Sequence, residues 1–324
     1  MRINGIDQTV WLQHAWLNWL QSSLLLAFMG GFLALLGWLL FGGSGVLMLL
    51  AVGVVGVLFN PVVSPRLMMT LYGASPIPPN HIPQLWALVS LLKQRAGLDA
   101  PLTLYYVPSR LLNAFAVGTS RQAAIAVTDG LMRQLDVRQL AGVLAHEISH
   151  IRNNDLWVMG LADMFSRATT MLSLLGQVLL ILSLPLWLFS IVSINWPALL
   201  LLVFAPSVSA LAQMALSRNR EYNADLNAAR LTGDPDGLAS ALARIERAHG
   251  GWVARLMLPG QRLPEPSVLR SHPDTEARIA KLMALKPQLT GAGMLPIDRA
   301  LDLSAVLDGP VTRPPRRHFS GLWH

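Results

Sequence analysis

His146, Glu147 and His150 stand in the run Leu144-Ala145-His146-Glu147-Ile148-Ser149-His150, the pattern H-E-x-x-H. On a helix, residues i and i+4 lie one above the other on one face. Two imidazoles so placed can both reach one zinc ion, with the intervening Glu beside the water that attacks a substrate. That combination is the core of a metal-dependent peptide hydrolase. The other reading is a helix with two ordinary histidines. The composition weakens it, since the chain has only 8 His and 18 Asp plus Glu in 324 residues.

A catalytic zinc needs a third protein ligand and an open position. The chain has no Cys, so thiolate ligands and disulfides are excluded, which is compatible with a cytoplasmic site. Glu221 and Asp225, in the run Ser217-Arg218-Asn219-Arg220-Glu221-Tyr222-Asn223-Ala224-Asp225, are again i and i+4. Glu221 can complete a His/His/Glu set. Asp225 can hold the outer ring nitrogen of a ligand histidine, His146 above all, and so set its tautomer. A solvated acidic pair beside arginines is the alternative, and spacing alone leaves it open.

The elements that must position these residues are largely membrane helices. The chain is 53% hydrophobic and 13% charged, with a mean hydropathy of +0.45. Residues 23–41, 44–63, 168–192 and 197–217 carry no charge. Each block is long enough to cross a hydrocarbon layer of roughly 30 Å as a helix. Pro185 and Pro206 fall inside the second pair, where membrane helices tolerate proline. Gly42-Gly43 and Ser193-Ile194-Asn195-Trp196 join the pairs without Lys or Arg, whereas Arg2, Arg66, Arg167, Arg218 and Arg220 flank the opposite ends. The positive-inside rule then puts both termini and the central segment in the cytoplasm. It also accounts for the net charge of +7. No nucleic-acid-binding motif accompanies that charge, so nucleic acid is not an expected partner.

The central segment reads as a water-facing α+β unit. Ser75 to Pro79 is a proline-rich linker, and residues 81–96 have helical periodicity. Residues 102–107, 113–118 and 123–128 read as short strands. Asp129 is a candidate cap for the next helix, and Asp136 for the helix bearing H-E-x-x-H, which should end near Asn153-Asn154. Asp136, Arg138, His146, Glu147, His150 and Arg152 would be costly in lipid, so the site should lie outside the hydrocarbon layer. Trp11, Trp16 and Trp19 suit an interfacial stretch before the first span. The tail after residue 289 is rich in Pro and Arg, and could be a disordered segment, a lipid-binding one or an occluding one.

Together these motifs resemble the HtpX-type membrane zinc metalloproteases, relatives of the CAAX prenyl proteases. The resemblance rests on Asn113-Ala114-Phe115-Ala116, His146-Glu147-Ile148-Ser149-His150, the 217–225 run, Ser271-His272-Pro273 and the four-span layout, and covers residues 23–288. It implies one zinc per chain held by His146, His150 and Glu221, with Glu147 catalytic. It also implies a gluzincin-like domain facing the cytoplasm of a bacterial inner membrane, and a part in turnover of unfolded or damaged membrane proteins. Glu147 would take a proton from water and pass it to the leaving nitrogen. The developing oxyanion needs a donor. His272 is the first candidate, with Arg218 second, although a packing or capping role suits His272 equally. Asn113, Ala114, Phe115 and Ala116 would pair with an extended substrate as an edge strand, unless they form an ordinary internal strand.

The expected architecture is α+β and mostly helical, an integral membrane protein with four transmembrane helices and a zincin-like cytoplasmic domain. The expected parts are an interfacial segment (1–22), a first transmembrane hairpin (23–63), a catalytic part (64–167), a second hairpin (168–217), a second catalytic part (218–288) and a tail (289–324). A CAAX-type prenyl-peptide processor would need more spans. A catalytically silent scaffold would predict a broken ligand set.

Overall fold

The computed structural model describes residues 2–3, 6–58, 65–119, 122–190, 195–248 and 275–289. His272 and the tail from residue 290 lie outside them, as does the side chain of Trp11. In chain order the elements are β1 (Arg2–Ile3), β2 (Ile6–Asp7), α1 (Gln8–Leu58), α2 (Pro65–Leu71), β3 (Ser75–Pro76), α3 (Pro83–Ala96), β4 (Leu102–Val107), β5 (Ala114–Thr119), β6 (Gln122–Thr128), α4 (Asp129–Gln134), α5 (Val137–Arg152), α6 (Asp155–Leu188), α7 (Trp196–Thr232), α8 (Pro235–Ala248) and α9 (Thr275–Leu289). The chain forms two compact units. One comprises Met1–Trp16, Val62–Leu156 and Arg220–His324, and the other Leu17–Pro61 and Trp157–Asn219.

The second unit is apolar helix. Three helices among the described residues are long and apolar enough to cross a membrane: Trp19–Leu47, Asp155–Leu188 and Trp196–Thr232. Their outer surfaces carry bare apolar side chains, such as Met171 at 72% and Phe189 at 75% exposure. Water would penalise such a surface, whereas lipid does not. Trp16 and Trp19 are exposed as well. Pro185 and Pro206 sit inside α6 and α7. α1 is broken at Gly42, whose φ of 64° and ψ of −150° are non-helical. A residue with a Cβ would be strained there. Beyond it the backbone turns back on itself, so that a Cβ on Gly45 would lie 2.2 Å from the carbonyl oxygen of Gly37. The 23–41 block and the start of the 44–63 block are therefore separate helical segments.

The first unit is a four-stranded mixed sheet, in the order β3-β4-β6-β5, covered by helices. β4 and β6 are parallel, while β5 returns antiparallel on β6 with Ala116 opposite Ile125. Ser75–Pro76, expected as a linker, instead pairs antiparallel with Tyr105 and Tyr106 of β4. Proline is tolerated there because β3 is an edge strand. Side chains alternate across the sheet. Leu104, Ala114, Ala116, Ile125 and Val127 join the main core with α3 and α5. Phe115, Val117, Ala124 and Ala126 join Met69 and Tyr72 on the other face.

α5 runs through the main core, with Leu140, Leu144 and Ile148 fully buried. Asp136 caps it: its carboxylate accepts from the Gln139 backbone N–H, and Gln139 accepts in return from the Asp136 N–H. The cap of α4 is Thr128 rather than the expected Asp129. Asp129 lies in the first turn, buried, and accepts from Tyr106 and Arg133. Gly142 lets α8 pack closely on α5, since a Cβ there would come within 2.9 Å of the Leu238 backbone.

Candidate metal centre

Two elements bring the ligand candidates together. α5 presents His146 and His150 one turn apart on its buried face, and the C-terminal part of α7 presents Glu221 and, one turn on, Asp225. His146, His150, Glu221 and Asp225 are all less than 9% exposed. One donor atom from each of His146, His150 and Glu221 lies within 4.8 Å of the others.

The imidazole Nε2 atoms of His146 and His150 face each other at 3.0 Å. Glu221 places its oxygens 3.5 Å from His146 Nε2 and 3.6 Å from His150 Nε2. Each outer Nδ1 meets a carboxylate. Asp225 Oδ1 lies 3.0 Å from Nδ1 of His146, and Asp155 Oδ2 lies 2.8 Å from Nδ1 of His150. A neutral imidazole that donates from Nδ1 has a lone pair at Nε2. With both imidazoles in that form, two lone pairs and a carboxylate converge on one buried point, an arrangement that favours positive charge there. Electrostatics agrees. Burial disfavours positive charge on His146, but Asp225 and Glu221 outweigh it and push its pKa up to about 10. The residues fit a metal ion, and the nitrogen/nitrogen/carboxylate donor set suits zinc.

Asp155 was not legible as a site residue, because nothing in H-E-x-x-H demands it. α5 ends at Asn153, and Asn154 has a φ of 52°. A left-handed residue of this kind, for which Asn is suited, turns the chain sharply. That turn returns Asp155, the first residue of α6, to His150. Its other oxygen takes Arg220 at 2.9 Å. The Asn-Asn-Asp run after the motif was the available signal.

Arg278, from α9, is the second residue that sequence reasoning missed. Its guanidinium donates to both oxygens of Asp225, at 2.6 and 2.7 Å, and reaches Glu221 Oε2 at 3.1 Å. Arg218, the expected cation of this region, is exposed on α7 and belongs to the other unit. Arg278 and Arg220 are the guanidiniums that meet the site's carboxylates.

Glu147 is also buried, and burial pushes its carboxyl pKa up, opposed by His146, His150 and the backbone N–H of Ala116. That last contact ties the motif helix to β5, which packs on it. Asn113 exchanges hydrogen bonds with Thr128, through its carbonyl and through the Thr128 hydroxyl. Inward-facing and outward-facing backbone alternates along a strand, so the groups of Ala114 and Ala116 turn to the open edge. Phe115 does not join them. Its side chain packs against Tyr72, with ring centroids 4.7 Å apart and the rings tilted by 45°, in the core on the far side of the sheet.

Comparison with known proteins agrees with this arrangement. Residues 81–286 match peptidase family M48. A "Protease HtpX homolog" of Acaryochloris marina is 37% identical over 290 residues, which is 84% of this chain and 96% of the relative. Another, from Nostoc punctiforme, is 35% identical, covering 84% and 98%. A third, from Pyrococcus furiosus, is 31% identical, covering 84% and 97%. The crystal structure of Ste24p from S. mikatae aligns with a TM-score of 0.45 at 19% identity, covering 82% of this chain and 66% of that one. The chain thus belongs to peptidase family M48, with the HtpX-type proteases, a family of membrane metalloproteases, and its buried His/His/Glu cluster is a donor set that could hold the metal ion the family implies.

Proposed function

We propose that this chain is a zinc-dependent endopeptidase that cleaves unfolded or membrane-extracted polypeptides at the cytoplasmic face of a bacterial inner membrane. The observation that carries the reading is the convergence of His146, His150 and Glu221 beside buried Glu147 and an open strand edge. His146, His150 and Glu221 hold one zinc per chain. When bound, zinc supplies a Lewis acid that polarises a carbonyl and brings the pKa of water towards neutrality.

The chain's own residues supply the rest. Glu147, made more basic by burial and favoured in its carboxylate form by the neighbouring imidazoles and the Ala116 N–H, takes a proton from the attacking water and delivers it to the leaving nitrogen. The Ala114 backbone and the Ala116 carbonyl pair with an extended substrate and lay its scissile bond alongside Glu147. Such pairing ignores most side chains, which supports a broad range of unfolded substrates. Asp225 and Asp155 hold the two imidazoles in the ligating tautomer. His272 donates to the oxyanion.

Four spans, two on each side of the central segment, supply the membrane anchor. The break at Gly42 supports counting residues 23–41 and 44–63 as two. The Arg-free connectors support placing both termini and the catalytic parts, residues 64–167 and 218–288, in the cytoplasm.

Metal analysis with casein cleavage tests this, on detergent-purified wild type and Glu147→Gln. Zinc near one per chain in both, with cleavage by wild type alone, is the expected result. Folded wild type without zinc would sink the proposal.

A further inference from the structure

Arg278 is 3% exposed, in a helix that the ligand motifs give no reason to place here. α9 is seated firmly. Leu282, one turn beyond Arg278, is fully buried in the main core. Thr275 donates to Glu246 of α8 at 3.0 Å, and the Lys281 ammonium lies 3.2 Å above the Tyr222 ring. The guanidinium so delivered is held as a fork, with two donors on Asp225 and a third on Glu221. An arginine fork is planar and stiff, so it dictates where carboxylate oxygens sit, as a lysine ammonium does not.

The oxygen of Glu221 that meets Arg278 is Oε2, which also lies 3.5 Å from His146 Nε2. The other, Oε1, faces His150 Nε2. Arg278 therefore competes with a metal for one of the two oxygens. We propose that Arg278 is a positioning residue that restricts Glu221 to single-oxygen ligation and so keeps one coordination position open for water and substrate. A two-oxygen Glu221 would fill that position, which a catalytic site must leave free.

Charge supports the assignment. Four buried carboxylates, those of Glu147, Asp155, Glu221 and Asp225, surround the site. Arg220 and Arg278 neutralise two of them, leaving two negative charges for a divalent ion.

This inference rests on the metalloprotease reading. The experiment loads full-length, detergent-purified wild type, Arg278→Lys and Arg278→Met with Co(II) as a spectroscopic probe. Visible absorption of Co(II) is strongest for four ligands and weakens as ligands are added. Both variants are expected to lose intensity, because the freed Glu221 oxygen joins the metal, and chelator competition should show metal held about 10–100-fold less tightly. If Arg278→Met fails to unfold cooperatively, Arg278→Lys decides alone, since one ammonium cannot span both carboxylates. A wild-type spectrum and affinity in a folded variant would overturn the inference and leave the metalloprotease reading standing. Wild type that takes up no Co(II) would sink both.

Discussion

A buried histidine serves as a metal ligand only if its free lone pair faces the ion. In the proposed metal site that choice is made by two aspartates, one beside each imidazole. Asp225 was anticipated from its spacing after Glu221, whereas Asp155 sits five residues beyond His150 and is brought back by the turn at Asn154. Asp155→Asn should weaken metal binding by about 10–100-fold, read by chelator competition. Unchanged affinity would mean that Asp155 serves only Arg220. Glu147→Gln should lower the cleavage rate by about 10²–10⁴-fold with metal retained, since general-base assistance is lost while the ligands stay. Loss of metal in that variant would recast Glu147 as structural.

In the proposed reaction, β5 and α5, which pack together, form the working pair of elements. The sheet leaves β5 at an edge, and its alternation sends Phe115 into the rear core while Ala114 and Ala116 face the motif helix. Ala114→Pro removes one open-edge N–H without touching the pairing to β6, and proline is allowed at the first residue of a strand. The expected result is a fall in kcat/KM of about 10-fold, the worth of one hydrogen bond, with little change in thermal unfolding. Equal activity would place the substrate elsewhere. α5 itself depends on its capping box at Asp136. Asp136→Ala should cost about 1 kcal/mol of stability, measured by denaturant unfolding, while the folded fraction keeps its specific activity.

At the scale of the whole molecule, the proposed orientation makes a direct prediction. The absence of native cysteine makes it directly measurable. Asn195 and Gln134 are both exposed. A membrane-impermeant maleimide applied to intact spheroplasts should label Asn195→Cys, and should label Gln134→Cys only after permeabilisation. The reverse pattern would invert the proposed topology and put the catalytic unit outside the cytoplasm.

The residues that converge in the buried His/His/Glu cluster, the motif helix with its cap and stop, and the apolar blocks were all legible in the sequence. They are local, written in i/i+4 spacing, capping chemistry and runs of uncharged residues. Local signals also pointed towards Asp225, because it shares a helical face with Glu221. Tertiary structure decided what depends on contacts between distant segments. Arg278 enters the site from a helix 53 residues beyond Asp225, and no periodicity announces which arginine of a basic chain will be buried. The same holds for Ser75–Pro76, where composition read as linker became an edge strand once β4 lay beside it. Phe115 shows the converse: its neighbours in sequence face the motif helix, but the pleat of the strand turns this side chain into the core on the far side of the sheet.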